Sequence, residues 1–417
     1  MNNVLIEKRV GRTPLVRARN LEEKLGVKNI YLKLEGNNPS GYRIDRLTYI
    51  LIKDALRVNK NTICLSIGAN FARSLAHLSQ FYSMTCVFVV PDKNEYKDIE
   101  LFNKDNIEFI EYDGTSEDRV EHVIKLCKKN KWYNANPGMN NSMISSIAFS
   151  KIAEELHAKV KGEIDTVFVQ SRYGYSLEGL DLGFRQLWVA NELKKIPTLN
   201  SCSKDTDDEL VNDVVGKAID ITEEELNHYI SEFEKIENIK MTVANGYSIA
   251  GFMKQVEEKK LPKGNHVILL NDGKIDIDVR RATKEECLDN NEIITLVHDW
   301  LNEFTDPICE IEEAYKNAVE KGFIITAVYD GEICGIGIVV NFGFEHFASK
   351  YHLAYIATVD HIEGSGIATM ILNEAVELSE GNISLHVERN NYGAIKLYEK
   401  MGFKDHYSRM IHLTKND

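Results

Sequence analysis

Short apolar runs alternate with amphipathic stretches along the first two thirds of the chain. Such runs predict buried strands, whereas apolar residues that recur every three or four positions predict helices. The predicted strands are Ile30–Leu34, Thr62–Leu65, Thr85–Val90, Ile107–Tyr112, Thr166–Val169, Ile239–Val243 and Val267–Leu270, and the predicted helices include Asn70–Phe81, Glu117–Lys129 and Ser142–Ala158. This alternation predicts an α/β fold in which helices cover both faces of parallel sheets, with ligands beyond the carboxyl ends of the strands.

The last third of the chain has a different pattern. Thr283 followed by Glu286 predicts a helix N-terminus with a capping box. Two alternating stretches, Phe323–Tyr329 and Ile333–Val340, flank an Asp-Gly pair and predict a hairpin. We therefore expect two domains of unlike fold. They are residues 1–275 and residues 279–417.

A strand, a glycine-spaced turn and a helix follow one another between residues 355 and 381. In such an arrangement successive backbone N–H groups converge on an anion, and the helix N-terminus adds a partial positive charge. The predicted phosphate-binding residues are Val359, Gly364, Ser365, Gly366, Ile367 and Ala368. A purely structural glycine turn has the same pattern, so the segment that follows must decide between the two.

That segment contains a predicted strand, Ile383–Val387, and then Asn391–Phe403. The Gly-x-Gly-Ile-Ala turn, the Asn391-x-x-Ala394 spacing and the final Tyr-Glu-Lys-x-Gly-Phe together resemble the acyl-CoA core of the GNAT acetyltransferases. The resemblance implies a mixed α/β domain that uses acetyl-CoA as cosubstrate. It also implies that Tyr398 protonates the departing thiolate, that Asn391 contacts the pantetheine arm, and that an N–H group within Ile356–Val359 binds the thioester carbonyl.

Two positions depart from the family pattern. Glu363 stands where the turn usually begins with arginine or glutamine, and a carboxylate there would repel pyrophosphate unless it turns outward or pairs with a lysine. The preceding strand also lacks the carboxylate that often acts as general base. The remaining candidates for that base are His352, His386 and Glu388.

The acceptor implied by the resemblance is a small-molecule amine. In this family the acceptor-side contacts come from the early helices and from the segment before the central strand, here Trp300–Ile308 and Asn341–Tyr351. The aromatic residues of these segments either contact the acceptor or belong to the core. They are Trp300, Phe304, Phe342, Phe344 and Phe347.

The first domain also resembles a known family. Gly11–Val16 and Tyr31–Arg46 are similar to the start of the fold-type II pyridoxal-phosphate enzymes, the relatives of cysteine synthase and threonine synthase. The similarity continues, more weakly, through Gly251 and the strand at His266–Leu270. It implies a domain built from two parallel-sheet subdomains, and homodimerisation through that domain.

The departures from this second family concern its cofactor. The family's Schiff-base lysine falls on Ile44, which has no amine. Asn70 retains the asparagine that contacts the pyridine ring, whereas only Gly174 survives from the phosphate-binding glycine loop, beside Arg172. We therefore expect a degenerate site that binds no pyridoxal phosphate, in a domain that serves as a regulatory or binding module.

The composition limits which binding partners and which cellular compartment we expect. A formal net charge of −14 argues against nucleic acid and anionic membrane surfaces. Seven cysteines without a C-x-x-C pair indicate reduced thiols rather than disulfides or a metal cluster. With no signal peptide and no membrane-spanning run, we expect a cytoplasmic protein.

Two alternative functions remain open from the sequence. In the first, the protein is a sensor or interaction protein whose first domain binds an amino acid or another anion through Arg43, Arg73 and Arg172. In the second, the first domain is a residual pyridoxal-phosphate-dependent lyase or transferase that uses a lysine from elsewhere.

Overall fold

The chain divides into two units, Met1–Ile275 and Asp276–Asp417. The computed structural model describes residues 10–66, 69–96, 104–136, 142–171, 174–204, 216–287, 291–329, 331–343, 349–359 and 366–405.

The strands of the first unit form two sheets. In chain order they are β1 (Leu15–Arg17), β2 (Ile30–Leu34), β3 (Thr62–Leu65), β4 (Thr85–Val90), β5 (Ile107–Glu111), β6 (Tyr133–Asn134), β7 (Ile164–Gln170), β8 (Thr198–Ser203), β9 (Gly216–Asp220) and β10 (Asn265–Leu270). One sheet has the order β1-β2-β10-β7-β8-β9 and is parallel except for β1, while the other has the order β5-β4-β3-β6 and is entirely parallel. Two parallel sheets are what the alternating pattern predicted.

Helices connect these strands. They are α1 (Arg19–Leu25), α2 (Asp45–Arg57), α3 (Ala69–Ser79), α4 (Ser116–Asn130), α5 (Ser142–Lys159), α6 (Tyr175–Val189), α7 (Glu223–Glu237) and α8 (Tyr247–Glu257). Capping boxes fix two of their N-termini. The side chains of Thr115 and Thr222 each accept a hydrogen bond from the backbone N–H of the third residue of the following helix, and the carboxylate of that residue accepts one from the threonine N–H. A large core cluster of this unit contains aliphatic residues of β7 and β10 together with the inner faces of α5 and α6.

The predicted strand Ile239–Val243 is wrong. Residues 239–242 have no regular structure, and Val243–Asn245 forms a short 3-10 helix. The backbone N–H groups of Met241 and Thr242 donate to the side chains of Glu234 and Asp272 rather than to a neighbouring strand. Side-chain acceptors therefore hold this apolar segment in place.

The second unit is a five-stranded sheet with helices. Its strands are β11 (Asp278–Arg281), β12 (Phe323–Tyr329), β13 (Glu332–Asn341), β14 (Tyr351–Thr358) and β15 (Ile383–Leu385), and its helices are α9 (Lys284–Cys287), α10 (Asn291–Leu301), α11 (Ile308–Glu320), α12 (Ile367–Leu378) and α13 (Tyr392–Lys400). The strands follow chain order in the sheet, antiparallel from β11 to β14, with β15 parallel to β14. The predicted hairpin and the capping box of Thr283 with Glu286 are both present.

Within the described ranges, none of the helices combines the length and apolarity needed to cross a bilayer.

Candidate functional sites

The strands β14 and β15 separate at one end. They pair only from Tyr351 to Leu353, opposite Ile383 to Leu385. At the same level the pairing of β14 with β13 shifts register, because Leu353 faces Val339 whereas Tyr355 faces Ile338, which leaves Ala354 as an extra residue. A bulge of this kind bends its strand. The two strands are unpaired beyond this level, and we call the space between their unpaired ends the gap.

The backbone of β14 beyond the bulge offers donors to this gap. The N–H of Val359 donates to the carbonyl oxygen of Cys334 on the β13 side (3.1 Å). Because successive residues of a strand direct their N–H groups to opposite neighbours, those of Ile356 and Thr358 face the gap. Within the predicted range Ile356–Val359, these two residues supply the donors, and the N–H of Val359 is already used.

The helix α12 begins at the end of the predicted turn. Gly366 is its N-cap residue, with φ of 84°, a left-handed conformation that glycine adopts without strain. The first N–H group bonded within the helix is that of Met370, which donates to the Gly366 carbonyl oxygen (2.9 Å). The N–H groups of Ile367, Ala368 and Thr369 precede this ladder, so they are oriented to bind an anion at the positive end of the helix. Thr369 was not foreseen from the sequence.

Several predicted contacts lie outside the described residues. They are Glu363, Gly364 and Ser365 of the turn, Phe344 and Phe347 of the acceptor side, and Arg172 of the first unit.

Two glycines of β13 seat the helix α12 against the sheet. A Cβ atom at Gly335 would overlap the Cγ2 atom of Ile367, and one at Gly337 would lie 2.6 Å from the Cγ2 atom of Ile371. Real carbon atoms in contact are separated by about 3.5–4.0 Å. The close approach of α12 therefore depends on these glycines, and it sets the height of the helix N-terminus above the sheet.

The helix α13 carries the other two residues expected to act on the cosubstrate. Tyr398 is 8% exposed, its ring meets that of Phe403 edge-on at 6.0 Å, and burial raises the pKa of its hydroxyl to about 12. It is thus a protonated acid at neutral pH. Asn391 is the N-cap residue of α13, and its Oδ1 atom accepts from the N–H of Ala394 (3.0 Å). This bond explains the Asn-x-x-Ala spacing and leaves the Nδ2 group of Asn391 as its donor to a ligand.

The candidate general bases His352 and His386 lie together. Their ring centroids are 4.5 Å apart, although 34 positions separate them in the chain. His352 is buried on β14, stacks on Phe342 at 5.1 Å, and has its Nδ1 atom 2.9 Å from the Oγ atom of Ser384. His386 is exposed just beyond β15, as is the third candidate, Glu388. The pair is located where β14 and β15 begin to part.

The acceptor side has a polar contact that the sequence did not reveal. The hydroxyl of Tyr355, on β14, donates to the Oδ2 atom of Asp306, in the loop before α11 (2.9 Å). Burial and the nearby carboxylates of Asp306 and Glu310 raise the pKa of Tyr355 above its usual range. Spacing could not have joined two residues so distant in the chain.

In the first unit, the three described residues of the predicted degenerate site lie at helix starts. Ile44 is the N-cap residue of α2 and packs, half-buried, against the main core. Gly174 is the N-cap residue of α6 with φ of 74°, a left-handed conformation that glycine adopts without strain. Asn70 is exposed in the first turn of α3.

A buried ionic network lies beneath this region. Lys33 is fully buried, donates to the carbonyl oxygen of Thr13 (2.6 Å) and pairs with the Oε2 atom of Glu155 (2.6 Å). Arg46 pairs with Glu155 (2.7 Å) and with Glu35 (2.7 Å). Burial alone would raise the pKa of Glu155, but the charges and hydrogen bonds of Arg46 and Lys33 outweigh it and hold this pKa well below its usual range. Every member of the network is compensated by another.

Two family models match the chain. A pyridoxal-phosphate dependent enzyme model matches residues 6–199, and an acetyltransferase (GNAT) family model matches residues 292–403.

Curated proteins match the first unit. The chain is 24% identical over 271 residues to threonine synthase from Methanocaldococcus jannaschii, and this match covers 63% of this chain and 65% of that protein. It is 37% identical over 87 residues to O-acetylserine dependent cystathionine beta-synthase from Bacillus subtilis, which covers 20% of this chain and 28% of that protein. The chain thus spans less than two thirds of the length of these relatives.

Solved structures show the same fold for the first unit. Maize serine racemase superposes with a TM-score of 0.54 at 15% identity, over 66% of this chain and 94% of that one. A hydrogen sulfide-producing enzyme from Fusobacterium nucleatum superposes with a TM-score of 0.53 at 19% identity, over 64% of this chain and 97% of that one.

These findings define the class of protein. Its first unit contains a domain of the fold-type II pyridoxal-phosphate enzymes, and its second unit contains a GNAT acetyltransferase domain. The chain is a fusion of the two, and the fold class expected from the sequence is confirmed. The GNAT domain supports an acetyltransferase role.

Proposed function

We propose that the second unit transfers an acetyl group from acetyl-CoA to the amine of a small acceptor. The observation that carries this proposal is the combination of the gap between β14 and β15 with the N–H groups at the start of α12, which precede the hydrogen bonds within the helix. The helix start binds the pyrophosphate, and the gap admits the pantetheine arm, whose amides extend the edge of β14.

The transfer step needs four contributions. The amine nitrogen attacks the thioester carbon, and the N–H groups of Ile356 and Thr358 bind the oxyanion that develops. When this tetrahedral intermediate collapses, the C–S bond breaks and the new C–N bond remains. The departing thiolate takes a proton from the hydroxyl of Tyr398, which regains one from solvent. Before the attack, His386, which is exposed at the mouth of the gap beside His352, takes one proton from the ammonium form of the acceptor and passes it to solvent. The nitrogen loses its second proton by the same route once the C–N bond has formed.

The acceptor binds against the loop before α11. Asp306 and Glu310 place two carboxylates next to Tyr355, and such a surface favours a molecule that arrives as an ammonium ion. We infer an amine without a free carboxylate, such as a decarboxylated or amidated amino acid, because a second cationic or neutral group is easier to accommodate there than an anion.

The test is release of free CoA from acetyl-CoA in the presence of a panel of amines, with the product identified by its added acetyl mass. Turnover should require an amine and fall when Tyr398 is replaced by phenylalanine. Release that is equal with and without every amine, and equal in Tyr398→Phe, would overturn the assignment.

We further propose that the first unit has lost pyridoxal-phosphate chemistry. Some features still suit the cofactor, since the N-terminus of α6 at Gly174 is able to bind a phosphate. The covalent anchor does not fit, because Ile44 has no amine and the fully buried Lys33 is already engaged by Glu155 and Thr13. Incubation with pyridoxal phosphate should give no imine absorbance band that borohydride can reduce; such a band would restore the enzyme interpretation.

The last proposals concern the partners, the cellular location and the oligomeric state of the protein. We propose that the protein has no nucleic-acid or membrane partner, because its net charge of −14 is repelled by such anionic surfaces. We also propose that it acts in the cytoplasm and dimerises through its first unit. Light scattering and gel filtration of the full chain measure the last point directly.

A further inference from the structure

Asn341, the last residue of β13, is held by the side chain of Asn317 in the last turn of α11. The pairing of β13 with β12 reaches Val339, opposite Phe323, so Asn341 lies two residues beyond it. The backbone N–H of Asn341 donates to the Oδ1 atom of Asn317 (2.9 Å), and its carbonyl oxygen accepts from the Nδ2 group of the same side chain (3.3 Å). One amide side chain thus satisfies both backbone groups that a neighbouring strand would otherwise satisfy.

The hydrogen bonds continue into the next two residues. The Nδ2 group of Asn341 donates to the carbonyl oxygen of Lys321 (3.2 Å), and its Oδ1 atom accepts from the N–H of Gly343 (2.8 Å). The N–H of Phe342 donates to the carbonyl oxygen of Lys350 (3.3 Å). The backbone on both sides of Phe342 is therefore fixed by hydrogen bonds.

The ring of Phe342 contacts the histidine pair at the gap. It lies over the ring of His352 with the centroids 5.1 Å apart and an interplanar angle of 29°. The ring of His352 is in turn 4.5 Å from that of His386. Because Phe342 is 48% exposed, burial contributes little to holding its ring in place. The position of the ring depends instead on the hydrogen bonds of the adjoining backbone.

The register of the sheet explains why these side chains meet. Phe342 follows Val340 by two positions, and Val340 faces His352 on β14. Since side chains two positions apart point to the same face of a sheet, Phe342, Val340 and His352 share one face. Ile338 shares it as well and belongs to the same buried cluster as residues of α11. The helix that carries Asn317 therefore packs on the face where Phe342 and His352 lie.

We propose that Asn317 is a positioning residue for the acetyl transfer. By fixing Phe342 against His352, it holds the two histidine rings in the arrangement in which His386 takes the proton of the acceptor. The proposal rests on the proposed function, which assigns that proton transfer to His386. Because Asn317 acts through the aromatic contact, its loss should impair use of the amine and leave acetyl-CoA binding intact.

Steady-state kinetics of the full chain test the catalytic part, with CoA release as the readout and the fastest amine of the panel as acceptor. Asn317→Ala and Phe342→Ala should each lower kcat/KM for the amine about tenfold, because a misplacement of about 1 Å can cost up to about 10²-fold. The double variant should fall below either single variant by no more than about twofold, since both changes remove the same contact. The dissociation constant for acetyl-CoA should stay within about twofold in all three. The control Lys316→Ala changes a 72% exposed side chain of the same helix and should match the wild type.

NMR of protein labelled at its histidine rings tests the positioning without turnover. A stacked aromatic ring shifts the ring signals of His352, which are assigned by their loss in His352→Gln. Asn317→Ala should move these signals in the same direction as Phe342→Ala and by a similar amount, because either change removes the stacked ring. Lys316→Ala should leave them in place.

Three results would overturn the proposal: Asn317→Ala retains the wild-type kcat/KM, the losses of the two single variants multiply in the double variant, or the His352 signals stay in place in Asn317→Ala. If Asn317→Ala fails to fold by circular dichroism, Asn317→Asp replaces it, since it keeps the size and the acceptor of Asn317 but loses the donor to the Asn341 carbonyl oxygen. Absence of amine-dependent CoA release from the wild type would instead overturn the proposed function, and the histidine signals would still decide whether Asn317 positions the pair.

Discussion

Replacing Gly335 with alanine should weaken acetyl-CoA binding from a position that the cosubstrate never touches. Gly335 lies on β13, beneath the first residue of α12. The added methyl group would overlap the Cγ2 atom of Ile367 and lie 2.9 Å from the Cδ1 atom of Ile371. Both isoleucines are buried against the sheet, which limits how far either side chain can move to relieve these contacts.

The size of the effect follows from these contacts. Carbon atoms need about 3.5–4.0 Å, so Ile367 must move by roughly 1 Å or more. Overpacking of a well-filled core typically costs about 1–3 kcal/mol, and a misplacement of about 1 Å in a positioning element can reduce catalytic efficiency about 10²-fold. We expect the dissociation constant for acetyl-CoA to rise between about tenfold and a hundredfold, while the sheet stays folded.

Gly337→Ala is the matched control. Its methyl group would meet the Cγ2 atom of Ile371 at 2.6 Å, one turn further along α12 than Ile367. It should destabilise the second unit to a similar degree but change acetyl-CoA affinity by no more than about threefold. Calorimetry gives the affinities and thermal unfolding gives the stabilities. Unchanged acetyl-CoA affinity in Gly335→Ala, or an equal loss in both variants, would refute the idea that this glycine positions the helix start.

Three further predictions concern single side chains. Tyr398→Phe should lower kcat about 10²-fold or more with little change in KM for acetyl-CoA. The control Tyr392→Phe changes a tyrosine that is 70% exposed on the same helix and should leave kcat and KM unchanged. Equal rates in the two variants would contradict the role of Tyr398 as the acid. Burial raises the pKa of Asp45 from 3.8 to about 6, so its contribution to stability is complete below about pH 4 and is lost as the pH rises through 6, by roughly 3 kcal/mol. Urea unfolding between pH 4 and 7 should show this decline in the wild type and not in Asp45→Asn, and identical profiles would contradict it. Glu155→Gln should destabilise the first unit by about 3–5 kcal/mol, because it leaves the charges of the buried Lys33 and Arg46 without this carboxylate. The control Glu154→Gln changes an exposed neighbour and should cost less than about 0.5 kcal/mol in the same denaturation assay. A mild effect at Glu155 would show that the network is dispensable.

Much of the fold could be predicted because its signals are local. The strands Ile30–Leu34, Thr62–Leu65 and Thr85–Val90 were predicted with the bounds that the structure gives them. The strand Thr198–Ser203 was missed, since its polar residues Asn200, Ser201 and Ser203 are buried within the sheet and break the apolar pattern. Periodicity reports burial only where burial coincides with apolarity.

The sites were only partly predictable for a related reason. Turn residues such as Gly366 and Gly174 are adjacent to the helices they start, so spacing locates them. The contact of Lys33 with Glu155 spans 122 positions, and that of Tyr355 with Asp306 spans 49. Pairings of this kind are created by the fold, and no spacing rule in one sequence reveals them.

Calorimetric titration of the full chain with acetyl-CoA tests the central claim most directly, because it needs no knowledge of the acceptor. The account predicts saturable binding of one acetyl-CoA per chain, displaced by free CoA and weakened in Gly335→Ala. Absence of saturable binding, or binding that Gly335→Ala and Gly337→Ala leave equally intact, would contradict it.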